Sequence, residues 1–374
     1  MTIGILKEPQ EEARVALLPE AVKTLISWGT HVIIESDAGL SAFADNASYE
    51  AIGASIKSRE EVLTESDMIC GIQPLIQEEI LKMKPESVLL GQMGALFNPD
   101  LTKFLIKEKR TAFSMELVPR TTRAQSMDVL SSMATVTGYK AVLLAASSLP
   151  RFFPMFMTAA GSITPAKVLI LGAGVAGLQA IATAKRLGGS VSAFDVRQAA
   201  KEEVLSLGAK FVDVEGAKED KAAGGYAVEQ TPEFIQKQKD TIHEYAAKSD
   251  VIITTAQIPG RKAPLLVEER TVLAMKPGSV IVDLAASSGG NCALTQADKT
   301  IEVNGVRIIG VGNIASELPQ DASKMYGKNY LNFLKLIINN GEINLNFEDD
   351  IVKGTCVCHA GEAVNSRISE MLTK

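Results

Sequence analysis

Residues 119–132 read PRTTRAQSMDVLSS and set Arg120, Thr121, Thr122, Arg123, Gln125, Asp128, Ser131 and Ser132 in one short segment, with mostly apolar sequence on either side. Guanidinium, amide, hydroxyl and carboxylate groups together can hold a polar ligand from several directions. The segment has no histidine, lysine or cysteine to serve as base or nucleophile. Such a set suits orientation of a ligand rather than proton transfer. The chain has only three histidines, His31, His243 and His359. His31 opens a strand-like run. His243 sits in the charged pattern KQKDTIHEYAAK and is expected to be solvated. None has the setting of a catalytic base.

A second constellation is GAGVAG, Gly172 to Gly177, between KVLIL and LQAIATAKRLG. Three such glycines also occur in ordinary tight turns. Here strand, glycine turn, helix and second strand follow in order, and Asp195 closes the second strand. Gly172 permits the turn, Gly174 lets the backbone approach a pyrophosphate, and Gly177 lets helix and strand pack closely. The helix start offers N–H groups to phosphate. A carboxylate at Asp195 grips ribose hydroxyls and repels a 2′-phosphate, so the segment reads as a site for NAD(H) rather than NADP(H). Arg197 is expected to be a solvated side chain.

Oxidation of an alcohol or amine by NAD moves a proton with the hydride and normally uses a residue such as His or Lys near the nicotinamide. Hydride transfer between two nicotinamide rings moves no proton. It asks the protein only to position the rings and exclude water. The 119–132 segment suits that second task. From Gln125 onward, helical spacing puts Gln125, Asp128, Ser132 and Thr135 on one face with Ser131 beside it, while Met127, Leu130 and Ala134 face the core. An ordinary capped helix between domains has the same pattern, and the residues alone leave both readings open.

The elements that must position these groups form two series of short apolar runs alternating with helical patterns, as in α/β folds with parallel sheets. The first series is TIGILK (2–7), HVIIES (31–36), DMICGI (67–72), SVLLGQ (87–92) and TAFSMEL (111–117). The second is KVLILGAG (167–174), SVSAFDV (190–196), AKFVDV (209–214), DVIITTA (250–256), SVIVDLA (279–285) and VRIIGVG (306–312). A long helix is expected over 124–148, leaving the first domain for the second. KNYLNFLKLIINN then returns as a helix, and IVKGTCVCH adds a late strand on which Cys356 and Cys358 share one face. The expected fold is two Rossmann-like domains with parallel sheets. Residues 1–131 and 318–374 form a discontinuous first domain, and 132–317 an inserted NAD(H)-binding domain. The charged, glycine-paired stretch 216–232 reads as a mobile loop.

Composition narrows the field further. At 374 residues and 46% hydrophobic content the chain can build two cores. A net charge of −6 with no basic run argues against nucleic-acid binding. Four cysteines give no disulfide framework and fit a reducing cytoplasm. The C-x-C of Cys356 and Cys358 lacks zinc-ligand spacing, and no metal is expected. The N-terminus opens directly into a strand pattern with no cleavable signal. The longest uncharged run, Val168 to Ala184, has 17 residues and three glycines. That is short of the roughly 20 a spanning helix needs, so the chain is not expected to cross a membrane.

At these residues the chain resembles, over nearly its full length, the NAD(H)-binding α subunit (domain I) of proton-translocating NAD(P) transhydrogenase, a family similar in fold to alanine dehydrogenase. The shared marks are IGILKE with RVALLP, PRTTRAQSMDVLSSMA, KVLILGAGVAG with AFDVR, GGYA, TTAQIPGRKAP, MKPGSVIVDLA and GGNC. The resemblance implies that NADH bound here passes hydride directly to NADP⁺ on a partner domain, coupled to proton translocation by membrane subunits. It implies that Arg120, Gln125, Asp128 and Ser131 surround the nicotinamide end, with Thr121, Thr122 and Arg123 in the same cofactor-binding segment. Val175, Asp195, Val196 and Arg197 would hold the adenosine side, Gly225 and Tyr226 would close a mobile loop, and Gln238 and Gln257 would make further contacts. A chain ending at Lys374 fits the split form, a separate cytoplasmic subunit docked peripherally on the inner face of the cytoplasmic membrane. A homodimer is also implied.

Two alternatives stand beside this. An alanine dehydrogenase-like enzyme has a substrate lysine, a catalytic histidine and an aspartate where this chain has Gln73, Gly94 and Ser287. Arg14, which meets substrate carboxylate in that family, is retained. A non-catalytic NAD-sensing module would bind NADH and transfer no hydride.

Overall fold

The computed structural model describes residues 1–214, 216, 231–257 and 262–373. The chain divides into two compact units, one made of Met1–Met133 and Ser316–Lys374, the other of Ala134–Ala315.

In the first unit six strands run parallel, in the order Thr111–Ser114, Val88–Gly91, Met68–Cys70, Thr2–Ile5, His31–Glu35 and Ser55–Lys57. The sheet is not parallel throughout. Cys356–His359 joins antiparallel beside Thr111–Ser114, and Glu362–Ala363 follows it antiparallel at the edge. The run IVKGTCVCH, expected as one strand, splits in two. Asp349 accepts hydrogen bonds from the amides of Ile351 (2.8 Å) and Val352 (3.3 Å) and so starts the helix Asp350–Thr355, which leaves only Cys356–His359 extended. The register shifts between Cys356 and Cys358, so their expected common face is interrupted by a bulge. Both thiols are buried, which raises their pKa, that of Cys358 to about 12.

In the second unit the parallel order is Lys210–Phe211, Ser190–Phe194, Lys167–Leu171, Val251–Thr254, Val280–Asp283 and Val306–Gly310, with Thr300–Val303 antiparallel at the edge. Counted from Lys167–Leu171, this is the doubly wound order 3-2-1-4-5-6, whose direction reverses between the first and fourth strands. Successive residues feed opposite faces. Val168, Ile170, Val251 and Ile253 enter one core cluster, and Leu169, Leu171, Ile252 and Ile281 the other. Both faces are covered, which is why these strands read as unbroken apolar runs.

The long helix expected from Ala124 starts at Val129 and ends at Ser148. Before it, Thr122–Met127 form a 3₁₀ turn, and Asp128 (φ −75°, ψ 93°) separates the two elements. The reason is local. The Asp128 carboxylate accepts from Ser131 N at 3.0 Å and from Ser131 Oγ at 2.6 Å, satisfying a first-turn amide. Aspartate does this well only from a non-helical position. Gln125 therefore does not share a helix face with Asp128, Ser132 and Thr135. Leu130, expected in the core, is 40% exposed, while Val129 and Met133 are buried.

By length and composition Val129–Ser148 is long and apolar enough to cross a bilayer, because the helix runs straight through Lys140 where the sequence count stopped. Ala141, Val142 and Ala145 on it are fully buried in a core of the second unit. One face of the helix is therefore packed into that core. The returning helix spans Pro319–Ile337, longer than KNYLNFLKLIINN indicated, and it seats Tyr326, Tyr330 and Phe333 in the first unit.

Candidate dinucleotide site and polar cluster

The glycine turn of the second unit lies at the sheet's reversal point. Gly172 follows the strand Lys167–Leu171 with φ +100°, a conformation glycine adopts without strain. Its N–H donates to the Phe194 carbonyl at 2.8 Å. Thr255, just past the fourth strand of that order, donates from Oγ1 to the Gly172 carbonyl at 3.1 Å. A Cβ on Gly177 would stand 1.9 Å from that same carbonyl oxygen, so helix and turn touch backbone to backbone. A Cβ on Gly174 would meet none of the described residues within 4 Å. Gly174 is the N-cap of the helix Val175–Arg186 and has no side chain to accept from the first amides. The first-turn N–H groups thus stand at the positive end of a helix beside a residue that brings no side chain, and that geometry fits a pyrophosphate.

Asp195 is nearly buried behind the turn. Its Oδ2 accepts from Ala173 N at 2.7 Å and Arg197 Nη2 at 2.8 Å. Its Oδ1 accepts from Arg197 N and Arg197 Nε, both at 2.9 Å. Arg197 is therefore not the solvated side chain expected. Its hydrogen bonds to Asp195 raise its pKa above the ordinary arginine value. A carboxylate has about four acceptor positions, and all of Asp195's are taken. A ribose hydroxyl reaches Asp195 by exchanging with one of these donors.

Val175 is 43% exposed at the helix start, and Val196 packs beside the sheet core. Gln238 is buried on the helix Pro232–Ala246. Gln257 is exposed and donates from Nε2 to the Leu284 carbonyl at 2.9 Å. Gly225 and Tyr226, and most of the 216–232 loop, lie outside the described residues. His243, expected to be solvated, is half-buried, with Nδ1 3.0 Å from Thr271 Oγ1.

Two residues without an assigned role in the sequence organise the loops beside the turn. Asp283, fully buried, takes hydrogen bonds from Thr254 Oγ1, Ala285 N, Asn291 N, Cys292 N and Thr295 Oγ1, between 2.7 and 3.1 Å. Asn291 bonds both the N–H (3.1 Å) and the carbonyl (2.9 Å) of Ala256, next to Thr255. An aspartate ending a buried strand and the Asn of GGNC were the available signals.

In the first unit, Arg120, Thr121, Thr122, Arg123, Gln125 and Ser126 are exposed, while Ala124 and Met127 anchor the 3₁₀ turn inward. The Gln125 side chain makes no hydrogen bond among the described residues. Arg123 grips Asp349 with Nη1 (2.7 Å) and Nη2 (2.8 Å) and also bonds Asp350. These bonds, that to Asp349 first, hold the guanidinium above its usual pKa, and Arg123 keeps the Asp349 carboxyl below the usual range.

The positions where an alanine dehydrogenase-like enzyme carries its chemistry hold other groups. Arg14 is buried against Glu12 at 2.5 Å, and Gln73 Nε2 lies 3.4 Å from the same carboxylate. A Cβ on Gly94 (φ +58°) would meet none of the described residues within 4 Å, and Ser287 is exposed.

A glycine turn at the reversal point of a 3-2-1-4-5-6 sheet, capped by Gly174 and backed by Asp195, defines a Rossmann-type dinucleotide-binding architecture. Comparison with known proteins places it further. Residues 4–137 match the model for the alanine dehydrogenase/PNT N-terminal domain, and 141–366 that for the C-terminal domain. An NAD(P) transhydrogenase subunit alpha polypeptide of Rhodospirillum rubrum is 46% identical over 380 residues, covering 99% of each chain. The crystal structure of transhydrogenase from Sinorhizobium meliloti superposes with a TM-score of 0.89 at 44% identity, covering 97% of this chain and 100% of that one. Alanine dehydrogenase of Staphylococcus epidermidis is a more distant relative, 29% identical over 91% of this chain and 88% of its own. The chain belongs to the alanine dehydrogenase/PNT family of oxidoreductases, on its NAD(P) transhydrogenase alpha-subunit branch.

Proposed function

We propose that this chain is the NAD(H)-binding subunit of an NAD(P) transhydrogenase and transfers hydride directly between NADH and NADP⁺ held on a partner domain. The observation that carries the reading is the makeup of the 119–132 cluster, which offers amide, hydroxyl, carboxylate and guanidinium groups without a histidine, lysine or cysteine. When bound, the reduced nicotinamide supplies the hydride. The Val175–Gly177 amides and the space beside Gly174 take the pyrophosphate. Asp195, with Val196 and Arg197, takes the adenosine ribose. Gln125, Arg120, Asp128 and Ser131 orient the nicotinamide and its ribose, with Thr121 and Thr122 alongside, and no proton changes hands. Arg123, already committed to Asp349, contributes through its remaining donors. Gly225, Tyr226, Gln238 and Gln257 complete the proposed contacts. Ala134–Ala315 acts as the NAD(H) domain, inserted into the discontinuous first one.

Coupling to proton translocation belongs in this reading to membrane-embedded partner subunits. The chain itself would sit peripherally on the cytoplasmic face of the membrane. A homodimer is supported by the hairpin Phe156–Thr158/Gly161–Ile163, around which Phe152, Met155, Phe156, Met157 and Ile163 stand 40–76% exposed. An apolar patch of that kind marks a protein contact. The test mixes the chain, NADH tritiated at C4 and an NADP⁺-loaded transhydrogenase partner domain. Label passing stereospecifically into NADPH without exchange into water, and lost in Gln125→Asn, supports the reading. Tight NADH binding with no transfer overturns it in favour of a sensor, and turnover of pyruvate and ammonium would favour an amino-acid dehydrogenase.

A further inference from the structure

The 3₁₀ turn Thr122–Met127 has little to hold it by itself. Its local bonds are few, among them Ala124 N to Thr121 O at 3.0 Å and Asp128 N to Gln125 O at 3.3 Å, and most of its side chains are exposed. A 3₁₀ segment this long is uncommon without outside support. The support comes from the helix Pro319–Ile337. Asn329 and Asn332, one turn apart on it, both donate from Nδ2 to the Ser126 carbonyl, at 2.9 and 3.0 Å. One carbonyl oxygen thus has both lone pairs used by two side chains of a single rigid element. Asn329 is 6% exposed and its Oδ1 is buried with no hydrogen-bond partner among the described residues. Leaving an acceptor unsatisfied is costly. The amide keeps that orientation because a flip would set Oδ1 against the Ser126 oxygen.

The helix is itself fixed. Tyr330 Oη donates to the Gly71 carbonyl at 2.5 Å, and the rings of Tyr326 and Tyr330 pack 4.8 Å apart. At the turn's other end Arg123 is clamped to Asp349. Gln125 lies between these two attachment points, on a backbone held from both sides.

We infer that Asn329 and Asn332 are positioning residues for the transfer step, holding the Ser126 carbonyl so that the turn presents Gln125 in one orientation. This rests on the proposed role of Gln125. Acceleration by orientation demands placement to a fraction of an ångström, which a turn exposed on most of its surface does not supply alone.

The experiment compares Asn332→Ala, Asn332→Asp and Asn332→Gln with the parent chain, and uses Lys328→Ala, an exposed change on the same helix, as control. Asn332 is chosen because it is only partly buried, so the variants fold. Three quantities are read: NADH affinity, single-turnover hydride transfer to a loaded partner domain at saturating NADH, and amide hydrogen exchange over 122–128 in the free chain. For Asn332→Ala and Asn332→Asp the expected result is transfer slowed at least tenfold, NADH affinity within about twofold, and faster exchange in the turn. Asn332→Gln should restore part of the rate, and Lys328→Ala should change nothing. Unchanged exchange and transfer in Asn332→Asp would overturn the inference. So would a loss of affinity and thermal stability as large as the loss in rate, which marks a general structural role. If the parent chain transfers no hydride, the functional reading fails, and the exchange data still decide whether the pair holds the turn.

Discussion

Replacing Glu8 by glutamine should flatten the pH dependence of the first unit's stability. Glu8 is 9% exposed, and its two oxygens accept from Ile72 N (2.6 Å) and Gln73 N (2.9 Å). Those bonds favour the charged form, as does Arg14. Burial outweighs them and, with the charge of Glu12, raises the carboxyl from 4.5 to about 7. The folded chain therefore keeps a proton up to about pH 7 that the unfolded chain gives up near 4.5. Between those values folding takes up a proton. The stabilisation is complete below 4.5 and is lost as pH rises through 7, by about 3 kcal/mol in all. The chain's single tryptophan, Trp28, lies in this unit and reports its unfolding. Urea melts followed by Trp28 fluorescence at pH 5, 6, 7 and 8 give the stability of parent and Glu8→Gln. Carboxyls held low by their partners, such as Glu61 at about 2, finish titrating below this window. The difference between parent and variant should fall by about 1.4 kcal/mol per pH unit between 5 and 7 and then level. Parallel curves over that range would refute the reasoning.

Other substitutions test single contacts. Gly177→Ala puts a methyl 1.9 Å from the Gly172 carbonyl, so the turn must shift; NADH affinity should drop at least tenfold by fluorescence titration, and stability by about 1–3 kcal/mol. Asp195→Asn removes the charge that anchors both Ala173 and Arg197, and calorimetry should show NADH binding at least tenfold weaker, with less discrimination against NADPH. Tyr330→Phe strips the buried donor from the Gly71 and Leu90 carbonyls; thermal melts should show a loss of about 1–3 kcal/mol with NADH affinity unchanged.

Much of this architecture was legible because the strands are short apolar runs buried on both faces, and because a glycine turn between strand and helix has few other uses. The edges were not. Ser55–Lys57 is half-buried and Thr300–Val303 alternates half-buried with exposed, so neither reads as a buried strand. The 119–132 cluster was visible as residue types, yet its shape was not. Helical periodicity continues through Asp128, and only a side-chain cap on Ser131 breaks the helix there. Arg197 was misjudged for a related reason, because whether an arginine is solvated depends on where a carboxylate such as Asp195 lies. The pairing of Arg123 with Asp349 was not visible either, since that partner is more than two hundred residues away in the chain. Asn329 and Asn332 gave no signal because two asparagines in a helix matter only once Ser126 stands opposite them.

The split of the first unit across the chain has a consequence for how the molecule is made. All of Ala134–Ala315 leaves the ribosome as one continuous stretch, so that unit can complete its sheet while the rest is still being translated. The first unit cannot. Its sheet waits for Cys356–His359 to pair with Thr111–Ser114, a contact spanning some two hundred and forty residues. Until then Thr111–Ser114 is an open edge, with four buried residues and a row of unpaired backbone groups available to any neighbouring strand. The nascent chain thus passes through a stage in which one half is finished and the other is adhesive. Chaperone demand during synthesis, and aggregation on release from the ribosome, should be concentrated at that edge.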